Sequence, residues 1–249
     1  MKLQLKKLFR YRDLIDEYGN RILNYQHALG CIRIAVRDDC VSEIIQKKIR
    51  TARYERREAI TIGKILNDRE VYLELGAGLG LISTIAWLSG RVREIHCFEA
   101  DPRLVPLIQA THRLNSVVSQ VHNQLLTGDQ ELINHGFVDF HIRKNFYGSS
   151  VNPNVAAGIV NTLKVPTRSI EQVLDEIKPT VIACDIEGAE LGLFGGIRCP
   201  TVHRVMLETH QSAINGEGMR RLFNEMHDIN FHYDERWSSG SVVVFSRIQ

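Results

Sequence analysis

Between residues 71 and 88 the chain can form little other than a strand, a tight glycine turn and a helix. Val71-Tyr72-Leu73-Glu74-Leu75 is apolar apart from one carboxylate. Gly76, Gly78 and Gly80 then fall at every second position, and apolar residues recur at helical spacing from Leu81 to Leu88. This is the opening unit of a doubly wound α/β sheet. Glycines let the backbone turn sharply and let a ligand approach without a Cβ in the way. The helix start behind them offers free N–H groups to a negatively charged ligand group.

The spacing narrows the ligand. A dinucleotide fingerprint requires a third glycine at position 81, where leucine stands, and no Lys-Ser or Lys-Thr pair follows as in a phosphate-cradling loop. Glu74 ends the strand beside the turn, where a carboxylate repels a pyrophosphate and attracts an amino group. A ligand carrying an ammonium, a carboxylate and a ribose suits this better, which points to S-adenosylmethionine held around Glu74, Gly76, Ala77, Gly78 and Gly80. A second strand over 95–98 ends at Glu99-Ala100, close to the spacing at which an acidic residue accepts hydrogen bonds from ribose hydroxyls. A third strand over 117–126 brings Asn123 and Gln124 over the crevice, within reach of adenine.

Composition sets the limits. At 249 residues, 44% apolar and 24% charged, the chain fits one α/β domain with an appendage. No apolar run approaches the ~18 residues of a membrane span, and the basic N-terminus lacks the apolar core of a secretory signal. Five cysteines (31, 40, 97, 184, 199) form no C-x-x-C pair, which suits a reducing cytoplasm. Ten histidines lack zinc-finger spacing. Residues 1–57 hold 14 basic against 7 acidic residues. Without interleaved aromatics this arm reads as a solvated helix face or a homo-oligomer contact rather than a nucleic-acid surface.

Along the chain, residues 1–18 read as an amphipathic helix, 21–36 as a small hairpin and 39–66 as helical. Asp101-Pro102 opens a helix that Pro106 would disturb. The stretch 127–168 reads as an extra hairpin and a long loop, of the kind that forms lids or substrate walls. Ser169 and Gln172 make a capping box. A second informative strand, 181–184, runs out into Asp185-Ile186-Glu187-Gly188-Ala189-Glu190. Ligands of open parallel sheets bind beyond the carboxyl ends of the strands, so these carboxylates and Glu74 share one crevice. Glu190 alone is accounted for by a helix start, which favours acidic residues. A fifth strand, 205–210, brings His210 to the same side as a candidate base. A hairpin of 231–237 and 241–246 closes the chain.

With these residues assembled, the chain resembles the class I S-adenosylmethionine-dependent methyltransferases, and within them the FkbM family, over roughly residues 50–210. The resemblance rests on Tyr54-Glu55, the glycine motif from Leu73 to Gly80, Phe98-Glu99-Ala100-Asp101-Pro102, Asn115, Asn123, Ser149-Ser150, the acidic run 185–190 and Glu208-Thr209-His210. It departs from the family at Gly78, usually Asn, and at Asp101, usually Pro. Neither change removes a group the cofactor needs. The resemblance implies methyl transfer to oxygen, on a hydroxyl of a sugar, glycan or secondary metabolite.

The architecture expected is therefore a Rossmann-like, doubly wound, mostly parallel sheet with a C-terminal antiparallel hairpin. An N-terminal helical and hairpin cap would span 1–66 and the cofactor-binding domain 67–249. Asp185, Glu187 and His210 are the candidates for orienting or deprotonating the acceptor, Asp185 also meeting the cofactor. These carboxylates could instead hold a divalent cation with the acceptor hydroxyl, since hard cations prefer oxygen ligands; two carboxylates make a thin set, so the expectation is metal-free. A nicotinamide oxidoreductase and a non-catalytic binding protein on the same fold are the alternatives.

Overall fold

The structure is a computed structural model of the chain, and the residues described are 14–146 and 158–248. The glycine-turn unit lies at its centre. Strand β4 (Glu70–Leu75) is buried along its whole length, because helices cover both faces of its sheet. Tyr72 faces one layer with Ile62, Ile82, Ile85 and Ile108. Leu73 and Leu75 face the other with Ile170, Val173, Leu222 and Met226. Burying each such aliphatic side chain stabilises the fold by about 1.5–3 kcal/mol, so the period-2 alternation of β4 fixes its register.

The helix of the unit, α3 (Leu81–Leu88), leads into β5 (Val92–Phe98), α4 (Val105–Leu114) and β6 (Gln120–His122), which add parallel to one side of β4. The chain later returns to the other side of β4 with β10 (Val181–Cys184) and β11 (Arg204–Glu208), again parallel. Helix α7 (Gln211–Asp228) then leads to β12 (Phe231–Tyr233) and β13 (Val242–Arg247). The seven-stranded order is β12-β13-β11-β10-β4-β5-β6, with β13 alone antiparallel to its neighbours. The chain leaves β4 in one direction and comes back on the other side, so the topological switch point lies between β4 and β10. In open α/β sheets that is where a crevice forms.

Before the sheet come β1 (Leu14–Ile15), the hairpin of β2 (Arg21–His27) and β3 (Gly30–Val36), α1 (Glu43–Arg50) and α2 (Arg56–Ile65). The hairpin is tied to α4. The Ala35 amide donates to Thr111 Oγ1 (3.1 Å), the Arg33 amide to Asn115 Oδ1 (3.0 Å), and Asn115 Nδ2 to the Arg33 carbonyl (2.7 Å). One apolar cluster runs from Leu23 and Ile34 through Tyr54 and Ile62 to the sheet residues Tyr72, Ala183 and Met206. The cap and the sheet thus share a core.

Several expectations need correcting. The N-terminal helix does not continue through residue 18: Leu14–Ile15 pairs with β2, and residues 1–13 of that expectation, with the basic arm's first part, lie outside the described residues. The reason is local. The Asp16 carboxylate accepts from the amides of Tyr18 (3.0 Å) and Asn20 (2.8 Å) and closes a turn in competition with the helix. The helical stretch 39–66 is two helices, broken where Ala52 (φ 52°) and Glu55 (φ 43°) turn left-handed. The strand over 117–126 splits. Asn123 Nδ2 bonds the carbonyls of Glu99 (2.8 Å) and Ala100 (3.1 Å), and β7 (Leu125–Thr127) leaves to pair with β9 (Ile159–Ser169).

Strand β9 also pairs with β8 (Phe137–Arg143), the expected extra hairpin, after a short α5 (Gln130–His135). Residues 147–157 of the expected loop lie outside the described residues. Helix α4 begins at Val105, which leaves Pro106 in its first turn, where the missing N–H costs nothing. Ser169 does cap α6 (Ile170–Ile177), accepting from the Gln172 amide. After β10 the chain runs through turns rather than a helix start. No element is expected from the sequence over 211–228. Gly216, Gly218 and Asn215 blur its periodicity, and α7 is kinked at Asn215 (φ 57°, ψ −175°).

The switch point depends on Gly76. Its φ is +77°, and a Cβ there would lie 1.7 Å from the Asp185 carbonyl oxygen. Gly76→Ala should cost about 3 kcal/mol or more, read as a lower urea midpoint with unchanged slope. A variant as stable as the parent would refute this packing of β4 against β10.

Candidate active site

At the carboxyl end of β4 the Gly76 amide donates to the Phe98 carbonyl (2.9 Å), so the turn is fastened to the end of β5. Gly78 and Gly80 continue in left-handed conformations, φ 55° and 74°. The Gly80 amide closes the turn on the Ala77 carbonyl (2.7 Å), and α3 starts directly behind. The Gly78 amide donates to Glu99 Oε2 (2.9 Å) and the Asp101 amide to Glu99 Oε1 (2.8 Å). Each Glu99 oxygen keeps further lone pairs, and Glu99 lines the cleft above the turn.

That cleft encloses about 850 Å³, its open mouth included. Its apolar lining includes Leu75, Phe98, Leu104, Leu126, Phe140 and Phe146. The polar lining is Glu55, Glu99, Asp101, Gln124, Asp185 and Glu187. Among the described residues that line it there is no Lys, Arg or His. A smaller cavity of about 330 Å³, its open mouth included, adjoins it, sharing Glu55, Leu75, Gly76 and Asp185 and adding Glu58, Glu74 and Glu208.

The sequence-predicted residues divide between these places. Gly76, Gly78, Glu99, Ala100, Gln124, Asp185 and Glu187 line the cleft. Glu74 lines the smaller cavity instead, where its carboxyl accepts from Tyr72 Oη (3.3 Å) and Cys97 Sγ (3.4 Å). Ala77 and Gly80 are buried behind the turn, and Asn123 holds the Glu99–Ala100 backbone rather than lining the cleft. Glu55, Glu58 and Glu208 were missed as site residues. Tyr54-Glu55 and Glu208 had stood out only through resemblance. Nothing local reveals that α2 from the cap would meet the end of β11.

Burial governs the carboxyls. It raises Glu74 and Glu99 to about 7 against the hydrogen bonds they accept. It raises Glu58 to about 7 as well, helped by the charge of Glu208 and a hydrogen bond to it. Glu55 and Asp185 are pushed up in the same way, Asp185 further by the charges of Glu208, Glu187 and Glu55.

His210 stands among Asp185, Glu187 and Glu190. Its Nδ1 lies 2.7 Å from Glu190 Oε1, and its Nε2 3.5 Å from Asp185 Oδ1 and 3.4 Å from Glu187 Oε2. Glu190, the residue that a helix start would have explained, is fully buried. Glu187 takes φ 53° and Gly188 φ 98° in the turn after β10. Burial alone would depress the imidazole, but the Glu190 hydrogen bond and the charges of Asp185, Glu187 and Glu190 outweigh it and raise His210 to about 9. At neutral pH the bare cluster therefore holds an imidazolium, which cannot accept a proton.

A family model described as the methyltransferase FkbM domain matches residues 76–236. No curated protein matches the chain. Among solved structures, a ribosomal protein L11 methylase from Lactobacillus delbrueckii subsp. bulgaricus is 10% identical with TM-score 0.47, over 80% of each chain. A precorrin-6y C5,15-methyltransferase from Geobacter metallireducens GS-15 is 12% identical with TM-score 0.43, over 83% of this chain and 90% of that one. A Streptococcus pneumoniae protein in complex with S-adenosyl-L-methionine is 11% identical with TM-score 0.41, over 78% and 73%. Likenesses of this size say nothing of substrate.

The raised carboxyls make a stability prediction. Glu58, Glu74 and Glu99 titrate near 7 when folded and near the usual 4.5 when unfolded. The folded state thus binds more protons in that window. Their contribution is fully present below pH 4.5 and is lost as pH rises through 7. The ligand-free melting temperature should fall between these limits, and Glu99→Gln should flatten the fall. Melting curves at both ends of the window check this, and equal slopes in the two proteins would refute the assignment.

Proposed function

The chain belongs to the FkbM methyltransferase family, and from that premise we propose that it methylates a hydroxyl oxygen on a sugar, glycan or other small metabolite. It is an S-adenosylmethionine-dependent methyltransferase. The observation that carries the proposal is the lining of the cleft: apolar and acidic side chains together, with no cationic side chain among the described residues. Such a lining suits a ligand with a flat apolar base, ribose hydroxyls and positive charge. It opposes the pyrophosphate of a nicotinamide dinucleotide, which would lack a counter-charge.

Bound S-adenosylmethionine supplies a methyl group already activated on a sulfonium. In this reading Glu99 accepts from the ribose hydroxyls with the lone pairs its two amide partners leave. Gln124 and the apolar lining, with Asn123 holding Ala100 in line, take the adenine. The glycine turn through Gly76, Ala77, Gly78 and Gly80, with Glu74 and Asp185, takes the methionine end. Asp185 and Glu187, at the cleft's edge, orient the acceptor hydroxyl, and the Glu187 carboxylate receives its proton. His210, protonated, would hold those carboxylates in place rather than act as the base. Positioning of this kind supplies ~7–11 kcal/mol of a bimolecular barrier, and a placed base roughly 10²–10⁴-fold. Glu55 and Glu58 would bring the cap into the acceptor side of the site. The five cysteines are unpaired thiols, which supports a cytoplasmic setting. Among the described residues no helix is long and apolar enough to cross a membrane.

Thermal melts test the cofactor. A ligand at 100 times its Kd adds about 2.7 kcal/mol, worth about 5–10 °C for a domain of this size. S-adenosylmethionine and S-adenosylhomocysteine should both give that rise and NAD should not; a rise with NAD alone would sink the reading. Transfer of labelled methyl to a panel of hydroxylated acceptors tests the chemistry. Glu187→Gln should lower turnover by an order of magnitude or more while S-adenosylhomocysteine affinity stays within a few-fold. Transfer only to amine acceptors would overturn oxygen as the target.

A further inference from the structure

Three donor atoms converge at the edge of the cleft. His210 Nε2, Asp185 Oδ1 and Glu187 Oε2 come from two neighbouring strand ends, and one ligand atom from each lies within 4.8 Å of the others. The two distances from Nε2, 3.4 and 3.5 Å, are longer than an N–H···O hydrogen bond. They lie a few tenths of an ångström above the ~3.0 Å edge of the octahedron that Mg²⁺ or Mn²⁺ takes, so a bound ion would draw the atoms slightly together. Ligands bound at about 2.1 Å sit about 3.0 Å apart in an octahedron and about 3.4 Å apart in a tetrahedron.

The neighbours of these atoms point the same way. Glu190 is fully buried and its Oε1 meets His210 Nδ1 at 2.7 Å. That contact pins the ring so that Nε2 faces the other two carboxylates. A carboxylate behind a histidine in this way is the usual support of a metal-bound imidazole. A purely structural ion pair would need one carboxylate for the imidazole, and Glu190 already provides it. Asp185 Oδ1 is buried without a hydrogen-bond partner, and His210 Nε2 at 3.5 Å reaches it only through charge. Three carboxyl groups thus face one imidazole, more than its single charge can neutralise.

We propose that Asp185, Glu187 and His210 bind a divalent cation of the Mg²⁺ or Mn²⁺ kind, with Glu190 as the positioning residue behind His210. The sequence showed only two carboxylates for such a site. The third ligand comes from the next strand, and the same Nε2 lone pair takes either the proton or the ion. Carboxylate oxygens with one imidazole suit a hard-to-borderline ion that keeps water or hydroxyl at its remaining positions. Asp185 and Glu187 line the cleft, so those positions face the place where an acceptor hydroxyl would sit. The proposal rests on the methyltransferase reading for its purpose but not for its existence.

The test is titration of the full chain with Mn²⁺, followed by loss of the free-ion paramagnetic resonance signal, with and without S-adenosylhomocysteine. One ion per chain should bind below millimolar concentration. His210→Ala and Glu187→Gln should each weaken binding at least tenfold, and Glu190→Gln about 10–100-fold. Should Glu190→Gln not fold, the partly exposed Glu187 and His210 still decide the matter. Stabilisation by S-adenosylhomocysteine with all Mn²⁺ left free would overturn the cation site and leave the cofactor reading intact. Bound Mn²⁺ that the three variants do not weaken would also overturn it. Bound Mn²⁺ that they do weaken, without stabilisation by S-adenosylhomocysteine, would support the site and overturn the cofactor reading.

Discussion

The molecule depends on the close approach of two strand ends. Where β4 stops, the Gly76 backbone passes so near the Asp185 carbonyl that no side chain fits between them. Both strands are parallel and in register there, Leu75 opposite Cys184. The glycine turn that follows β4 and the acidic turn that follows β10 therefore open into one space. Left-handed backbone at Gly76, Gly78 and Gly80 brings the Gly78 amide to Glu99. One turn thus links the ends of β4, β5 and β10; the groups assigned to ligand binding hang from those three ends and from β11 beside them, joined by Gln124 after β6 and by Glu55 and Glu58 from the cap.

The concentration of carboxyls around that space is costly. Desolvation disfavours each charged form, and the like charges of Glu55, Glu58, Glu74, Asp185 and Glu208 reinforce one another. Isolated from a ligand, such a group lowers its cost by holding protons, which is why several titrate near 7. A positively charged ligand reverses the balance, because each carboxylate then gains a partner in a low-dielectric setting. The same physics applies at His210. Its proton neutralises part of the Asp185–Glu187–Glu190 cluster, and a divalent ion would neutralise more of it. Stability of the ligand-free chain and affinity for cationic ligands are thus opposed, as expected where residues are arranged for function rather than for the fold alone.

The cap enters the same economy of charge. Its hairpin is tied to α4 by paired backbone and side-chain bonds, and α2 packs over the sheet with Ile62 and Ile65 buried. That placement delivers Glu55 and Glu58 to the smaller cavity. The cap is thus part of the site's wall as well as part of the core, and changes in its packing would be felt at the carboxyls.

How much of this was legible in the chain depends on the range of the interactions. The glycine turn, the strand and helix around it, Glu99 at the end of β5, the acidic run after β10 and the terminal hairpin follow from local rules: period-2 burial, left-handed glycines and apolar strands that end in polar residues. Those rules also brought out the cofactor class. They failed where a side chain competed with the backbone, as Asp16 did for the N-terminal helix and Asn123 did for the third strand, and where glycines hid α7. Only the tertiary structure could decide that Glu190 supports His210, that Glu58 meets Glu208, and that Glu74 faces the smaller cavity. These contacts join residues far apart in sequence, and their energies depend on burial, which no local pattern carries. The sequence by itself determined the fold and the ligand-binding edge, because both arise from short-range geometry. The charge state and partners of the groups at that edge were decided by the packing, because desolvation exists only once the chain has closed around them.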